Sequence, residues 1–266
     1  MYGAKTLEIE RDTQERTNVE LADAHCHLDM VDANAIASSK AYGVSVMITN
    51  GGSMKANMET LRIADGKHVF AAIGMGPEEA VNAGEEEVEF SLGLVRKNKG
   101  RIVGVGEVGL DYKIADSFER VALQKTVLER FIDIAAELGI PISIHSRNAM
   151  DDLLKLLEEK KAEKVHLHFF EGDVAQAKTA ASRGYFISVP PIESSKRNRA
   201  IKEIPIEQLM AESDSPAAGA LPKDVEKSVM IIAKAKGIDY ARAAEITTAN
   251  TKRFFNIGRQ NLMRMH

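Results

Sequence analysis

The stretch LQKTVLERFIDIAAELGIPISIH, Leu123–His145, contains a predicted helix and the strand that follows it. Gly139 and Pro141 end the helix, because glycine commonly closes a helix and proline cannot continue one. The β-branched run Ile142-Ser143-Ile144 then predicts a strand that ends at His145. Within the helix, apolar side chains recur at the three- and four-residue spacing of a helix with one buried face, at Leu123, Val127, Phe131, Ile134, Ala135 and Leu138.

The same alternation of short apolar runs and helical patterns extends through the chain. Eight candidate strands end near His25, Thr49, Gly74, Glu107, His145, His168, Val189 and Asp214. Further helices are predicted after Asp151, Asp173, Ser194 and Pro222, and a last one from Ala243 to Phe255. Eight strands with helices between them in a chain of 266 residues favour a single α/β domain, a (β/α)₈ TIM-type barrel, over a doubly wound sheet.

The composition excludes several classes of protein. With 39 acidic and 35 basic side chains the net charge is −4, so a polyanion would have to meet a local basic patch. The single cysteine, Cys26, cannot form an internal disulfide, and no secretion signal is apparent, which indicates a cytosolic protein. No apolar run approaches the ~20 residues of a membrane span. We expect a polar extension at residues 1–18 and the barrel domain at residues 19–266.

Metal-ligand residue types stand at the carboxyl ends of the predicted strands, where barrel enzymes of this type place their catalytic groups. His25 and His27 project to the same side, because strand side chains alternate in direction. Imidazoles suit zinc, and added carboxylates extend the choice toward manganese and magnesium. A lone His-x-His pair carries little weight, but the whole set favours a site for one or two divalent ions: His25, His27, Glu107, His145, His168 and Asp214.

The carboxylates of this set have distinct expected roles. Glu107 ends a glycine-rich apolar strand, and a buried carboxylate needs a cation, so a ligand bridging two ions is favoured over a surface turn. Asp214 is expected to hold a metal-bound water and accept its proton. Glu212 and Asp23 are candidate partners of the ligands, although Asp23 could instead cap local backbone. His166 is predicted to be a hydrogen-bonded core histidine.

Four basic residues are candidate contacts for the substrate: Arg147, Lys196, Arg197 and Arg199. Arg147 lies two positions after His145 and could grip a phosphate or carboxylate, or form a surface ion pair. The other three follow the seventh strand, a frequent location of phosphate sites in barrels. A solvated helix face is the alternative for that basic run.

Five sequence blocks resemble, in order, those of the TatD family of metal-dependent hydrolases, a branch of the amidohydrolase-type barrels. They are DAHCHLD (Asp23–Asp29), GEVGLDY (Gly106–Tyr112), PISIHSR (Pro141–Arg147), HFFEG (His168–Gly172) and PIEQLMAESDSP (Pro205–Pro216). The resemblance implies a (β/α)₈ barrel whose one or two divalent ions, zinc, manganese or magnesium, are held by the six residues named above. Members of the family act as deoxyribonucleases or as deacylases. Gly76 replaces a usual family histidine and Ala217 a usual aromatic residue, which affects substrate choice.

Three functions therefore stay open. The leading hypothesis is a nuclease whose metal-bound hydroxide attacks a DNA phosphodiester, with Asp214 and Glu107 as catalytic residues. The same chemistry could hydrolyse an amide or ester bond of a small molecule. The third is a non-catalytic metal-binding protein. The natural substrate, the ion and the oligomeric state do not follow from the sequence.

Overall fold

A computed structural model describes residues 19–258, so the predicted extension at 1–18 and the tail at 259–266 lie outside the described residues. Eight parallel strands pair in sequence order to form one sheet that curls into a nearly closed barrel, which confirms the predicted fold. Their bounds are β1 (Leu21–Cys26), β2 (Val44–Asn50), β3 (Val69–Ile73), β4 (Ile102–Asp111), β5 (Ile142–Arg147), β6 (Val165–Leu167), β7 (Phe186–Val189) and β8 (Leu209–Ala211).

Helices cover the outside of the barrel, with two between β3 and β4 and two after β8. Over residues 19–258 they are α1 (Ala33–Ala41), α2 (Met54–Ile63), α3 (Pro77–Ala80), α4 (Glu85–Lys97), α5 (Phe118–Leu138), α6 (Met150–Glu159), α7 (Val174–Ser182), α8 (Ser195–Glu203), α9 (Val225–Lys236) and α10 (Tyr240–Phe254). Within this part of the chain, no helix combines the length and apolarity that crossing a membrane requires.

Helix α5 departs from its predicted apolar stripe at the N-terminal end. Leu123 is 43% exposed, and Gln124 is buried in its place. The Gln124 side chain accepts a hydrogen bond from the Asp111 N–H (2.9 Å) and donates one to the Pro77 carbonyl (3.1 Å). The hydrogen bond with the end of β4 therefore fixes which face of the first turns of α5 points toward the barrel. Further along, the stripe is buried as predicted, at Val127, Phe131, Ile134 and Ala135.

The barrel closes between β1 and β8 through hydrogen bonds just beyond the strands. The His27 N–H donates to the Ser215 carbonyl (2.7 Å), and the Asp214 N–H donates to the His25 carbonyl (3.0 Å). We call this junction the seam. It joins the first strand to the segment after the last one, so three of the predicted ligands lie beside one another.

Helix α10 holds both sides of the seam from the outside. The Thr248 hydroxyl donates to the carbonyl of Glu20, which precedes β1 (3.0 Å). The buried Asn250 amide donates to the carbonyls of Ile206 (2.8 Å) and Leu209 (2.7 Å), where β8 begins. The last predicted helix thus links the segment before β1 to the start of β8.

Replacing Asn250 with alanine should lower the free energy of unfolding by about 2 to 3 kcal/mol, because two carbonyls lose their buried donor. Urea unfolding followed by circular dichroism measures the change. Asn82→Ala is the matched control, since the exposed Asn82 amide caps only the Glu78 carbonyl; it should cost about 0.5 kcal/mol or less. Equal losses in both variants would contradict the role of Asn250.

Candidate metal centre

The six predicted ligands converge at the carboxyl end of the barrel, inside its mouth. The nearest imidazole nitrogens are His25 Nε2 and His27 Nε2, which lie 3.3 Å apart. Two nitrogens at ~2.0–2.1 Å from a tetrahedral ion lie about 3.3 Å apart. The two rings are therefore spaced as ligands of one ion would be.

Glu107 lies between two pairs of histidines and presents one carboxylate oxygen to each. Its Oε2 is 3.2 Å from His27 Nε2 and 3.7 Å from His25 Nε2. Its Oε1 is 3.1 Å from His145 Nδ1 and 3.3 Å from His168 Nε2. A carboxylate with this orientation can serve both histidine pairs at once.

Asp214 completes the set on the seam side. Its Oδ1 is 3.6 Å from His27 Nε2 and 3.8 Å from His25 Nε2. Its backbone has a φ of 50°, in the left-handed region that glycine, asparagine and aspartate adopt more readily than other residues. The bond to the His25 carbonyl and another from the Ala217 N–H to its own carbonyl (2.7 Å) hold it there. The backbone is thus constrained to direct this carboxylate into the mouth.

Three overlapping groups within residues 19–258 could each hold an ion, with ligand atoms within 4.8 Å of one another. Two of them divide the predicted ligands without overlap: His25, His27 and Asp214 in the first, and Glu107, His145 and His168 in the second. The third combines His25 and His168 with Glu212. The Glu212 carboxylate already accepts hydrogen bonds from the protein, so the first two groups describe the centre better.

Acceptors outside the centre fix the protonation of two ligand rings. His27 Nδ1 lies 3.0 Å from the Asn50 carbonyl oxygen. A carbonyl can only accept, so Nδ1 carries a proton, and Nε2 is the nitrogen that faces Glu107 and Asp214 and would bind an ion after losing its own proton. His145 Nε2 lies 3.3 Å from Asp111 Oδ2 in the same way, which leaves Nδ1 to face the centre. Such outer contacts orient metal-binding imidazoles.

A buried polar network continues beneath the centre. His166 is fully buried, with Nδ1 3.0 Å from the Ser143 hydroxyl and Nε2 2.6 Å from the Ser188 hydroxyl, as the predicted core histidine requires. Burial lowers the pKa of His166 well below its ordinary value. Ser143 also lies 3.2 Å from His25 Nδ1, and Ser188 donates to Glu212 (2.6 Å). The network therefore joins a ligand ring to a carboxylate across the barrel.

Neighbouring charges in the centre shift the pKa values of Glu107 and His27. Burial alone would raise the pKa of Glu107, but His168 and hydrogen bonds from His145 hold it well below its ordinary value. Burial would lower the pKa of His27, but hydrogen bonds to Asp214 and Glu107 raise it well above its ordinary value. Glu107 is thus ionised and balanced by imidazoles, and this combination of ligand types suits a divalent cation.

The two candidate partners of the ligands act mainly on the backbone. Glu212 accepts a hydrogen bond from the Phe169 N–H (2.6 Å), and its Oε2 lies 3.8 Å from His168 Nδ1. Asp23 accepts from the Ser213 N–H (2.8 Å) and hydroxyl, next to Asp214. Asp23 therefore holds backbone across the seam, and it also accepts from the local His25 N–H (3.3 Å).

Comparisons with known proteins agree with this geometry. The profile of the TatD related DNase family matches residues 22–256. The chain belongs to this family. The human deoxyribonuclease TATDN3 is 31% identical over 260 residues, covering 89% of this chain and 95% of the human protein.

Two further similar proteins come from other organisms. An uncharacterized metal-dependent hydrolase of Methanocaldococcus jannaschii is 26% identical over 251 residues, covering 90% of this chain and 98% of its own. The crystal structure of the TatD homologue YjjV from Escherichia coli has a TM-score of 0.82 at 23% identity, covering 89% of this chain and 98% of that one. The latter likeness shows the shared fold.

Asp111 is the residue of this TatD family site that the sequence reasoning missed. Period-2 alternation along β4 puts Glu107 and Asp111 on one face, and that signal could have found it. Gly109 lies between them, where a Cβ atom would be 2.1 Å from the His145 carbonyl oxygen. A side chain at this position would therefore displace β5 and its histidine.

The predicted substrate contacts of this family member separate into two kinds. Arg197 is buried, and its guanidinium donates to the carbonyls of Phe170 (2.7 Å) and Ile192 (2.8 Å), so it ties two loops together, while its contact with substrate stays a prediction. Arg147, Lys196 and Arg199 are exposed. Their roles stay predictions.

Asp111→Asn should weaken divalent-metal binding about tenfold or more, because His145 loses its charged acceptor. Competition with a chromogenic chelator measures the affinity for Mn²⁺ or Zn²⁺. Asp116→Asn is the control, since Asp116 is exposed and pairs with Arg120, away from the metal centre; its affinity should equal that of the unmodified protein. An unchanged affinity in Asp111→Asn would show that this contact does not position a ligand.

Proposed function

We propose that this protein is a divalent-metal-dependent nuclease that hydrolyses phosphodiester bonds of DNA. The observation that carries the proposal is the orientation of Glu107, whose two oxygens face two separate histidine pairs. Two-ion sites of this kind are common in enzymes of phosphodiester hydrolysis.

The residues divide between two ions in this proposal. His25, His27 and Asp214 would hold the first, His145 and His168 the second, and Glu107 both. Zinc, manganese and magnesium all suit such a mixture of nitrogen and oxygen donors. When bound, a divalent ion would lower the pKa of a coordinated water from about 15.7 to about 7.

Asp214 is the proposed proton acceptor. It is the carboxylate on the seam side, and both its backbone N–H and its backbone carbonyl are hydrogen-bonded. A carboxylate fixed in this way can orient an attacking water and take its proton at one oxygen. Glu107 has both oxygens engaged between histidines, which leaves this task to Asp214.

DNA is the substrate favoured by the family and by the name of the human relative. The net charge of −4 gives no general attraction for a polyanion. Contacts to phosphate would come from the exposed residues Arg147, Lys196 and Arg199. A cytosolic location is part of the proposal and rests on the buried, unpaired thiol of Cys26.

An end-labelled single-stranded DNA incubated with Mn²⁺ or Mg²⁺ tests the proposal. The unmodified protein should shorten it, and a chelator should stop the reaction. Asp214→Asn, purified in parallel, should be at least ~100-fold slower, because the proton acceptor is lost while the fold is kept. Asp116→Asn should cleave at the normal rate.

Two results would contradict parts of the proposal. A normal rate in Asp214→Asn would remove Asp214 as the proton acceptor. Absence of DNA cleavage together with metal-dependent hydrolysis of an ester or amide would replace the phosphodiester by a carbonyl substrate.

A further inference from the structure

A cavity of ≈570 Å³ lies beside the carboxyl ends of β4 and β5. Tyr112 and Ser146, which line it, directly follow Asp111 and His145, so the cavity is next to strand ends that carry residues of the metal centre. Its volume lies in the range of pockets that hold small organic molecules. Other wall residues come from the starts of α6 and α8 and from the segments beside them, among them Asn148, Met150, Glu171 and Lys196.

Tyr112 gives this cavity a fixed aromatic surface. Its hydroxyl donates to Asp152 (2.6 Å), and Asp152 in turn accepts from Lys125 (2.7 Å). Burial, and then the Asp152 contact, raise the pKa of Tyr112 to about 12, so the hydroxyl stays a donor. A ring held at its outer end in this way is already ordered before a ligand stacks on it.

Ser146 supplies a polar group that the protein leaves unused. It is 7% exposed, and within residues 19–258 its Oγ has no hydrogen-bond partner. A buried hydroxyl is normally satisfied, because leaving it unpaired costs free energy. The residue before α6, Ala149, has no side-chain acceptor for the first N–H groups of that helix either.

The charges of the wall fit a polar, uncharged group better than a phosphate. Asp151 accepts from Gln176 (2.7 Å), and Asp152 is engaged by Tyr112 and Lys125. Glu171 lines the cavity beside Lys196, the amine of which donates to the Glu171 carbonyl (2.7 Å). With the buried Arg197, two cations stand against three carboxylates in the lining, so the wall has no excess of positive charge.

We propose that this cavity binds one nucleoside unit of the substrate, with its base stacked on Tyr112 and a polar group of the base or sugar bonded to Ser146. The adjoining phosphodiester would then lie at the metal centre. This inference rests on the proposed function and specifies which part of the DNA the protein recognises beyond the scissile bond.

Binding of 2′-deoxyadenosine 5′-monophosphate to the Mn²⁺-loaded protein tests the inference by isothermal titration calorimetry. The matched probe without a base is 2-deoxyribose 5-phosphate. The nucleotide should bind at least about tenfold more tightly, because only it can stack. Equal affinities of the two probes would overturn the proposal.

Four variants test which residues of the cavity contribute to nucleotide binding. Tyr112→Leu should weaken nucleotide binding about tenfold, whereas Tyr112→Phe keeps the ring and should retain most of the affinity. Ser146→Ala should weaken binding several-fold with an unchanged melting temperature, because no internal hydrogen bond is lost. Tyr42→Leu, at an exposed position on another face, should bind like the unmodified protein. Unaltered binding in Tyr112→Leu would overturn the proposal.

The DNA assay separates this proposal from the preceding one. Cleavage of DNA with the same KM in Tyr112→Leu as in the unmodified protein would overturn the nucleoside cavity and leave the nuclease standing. Nucleotide binding that depends on Tyr112, without any DNA cleavage, would support the cavity and overturn the nuclease.

Discussion

The position of one buried carboxylate, that of Glu107, governs the arrangement of the whole centre. Taking such a group out of water is costly unless opposite charges and hydrogen-bond donors surround it. Two histidines face each of its oxygens, from β1 and the residue after it on one side, and from β5 and the residue after β6 on the other. The barrel therefore has to place the carboxyl ends of β1, β5 and β6 near that of β4, and its strand order does so.

The layer beneath the centre shows what this arrangement requires of the core. Instead of apolar side chains alone, the interior contains a row of hydroxyls and imidazoles that ends at Glu212. Every contact in such a row strengthens in the low-dielectric interior, and a missing partner would be equally costly. The ligand rings gain fixed orientations from it, while the remaining apolar core supplies the stability of the barrel.

Much of this could be predicted from sequence, because periodicity reveals which face a residue occupies. Strand ends, helix ends and the collection of ligand-type residues at one end of the barrel all follow from such local patterns. The partner of a side chain does not, since it comes from a distant segment. The burial of Gln124 depends for this reason on its bond to the end of β4, and the burial of Arg197 on two carbonyls of neighbouring loops. Asp111 differs, because the alternation along β4 places it on the face of Glu107.

The seam has a consequence for the order in which the site can be assembled. Asp23 and Ser213, which it brings into contact, are 190 positions apart in the chain. A ribosome must therefore have released the chain as far as the segment after β8 before His25, His27 and Asp214 can meet. A shorter nascent chain cannot present this trio to an ion, so an ion held by all three would be bound only after the barrel has closed, and it would link β1 to the segment after β8.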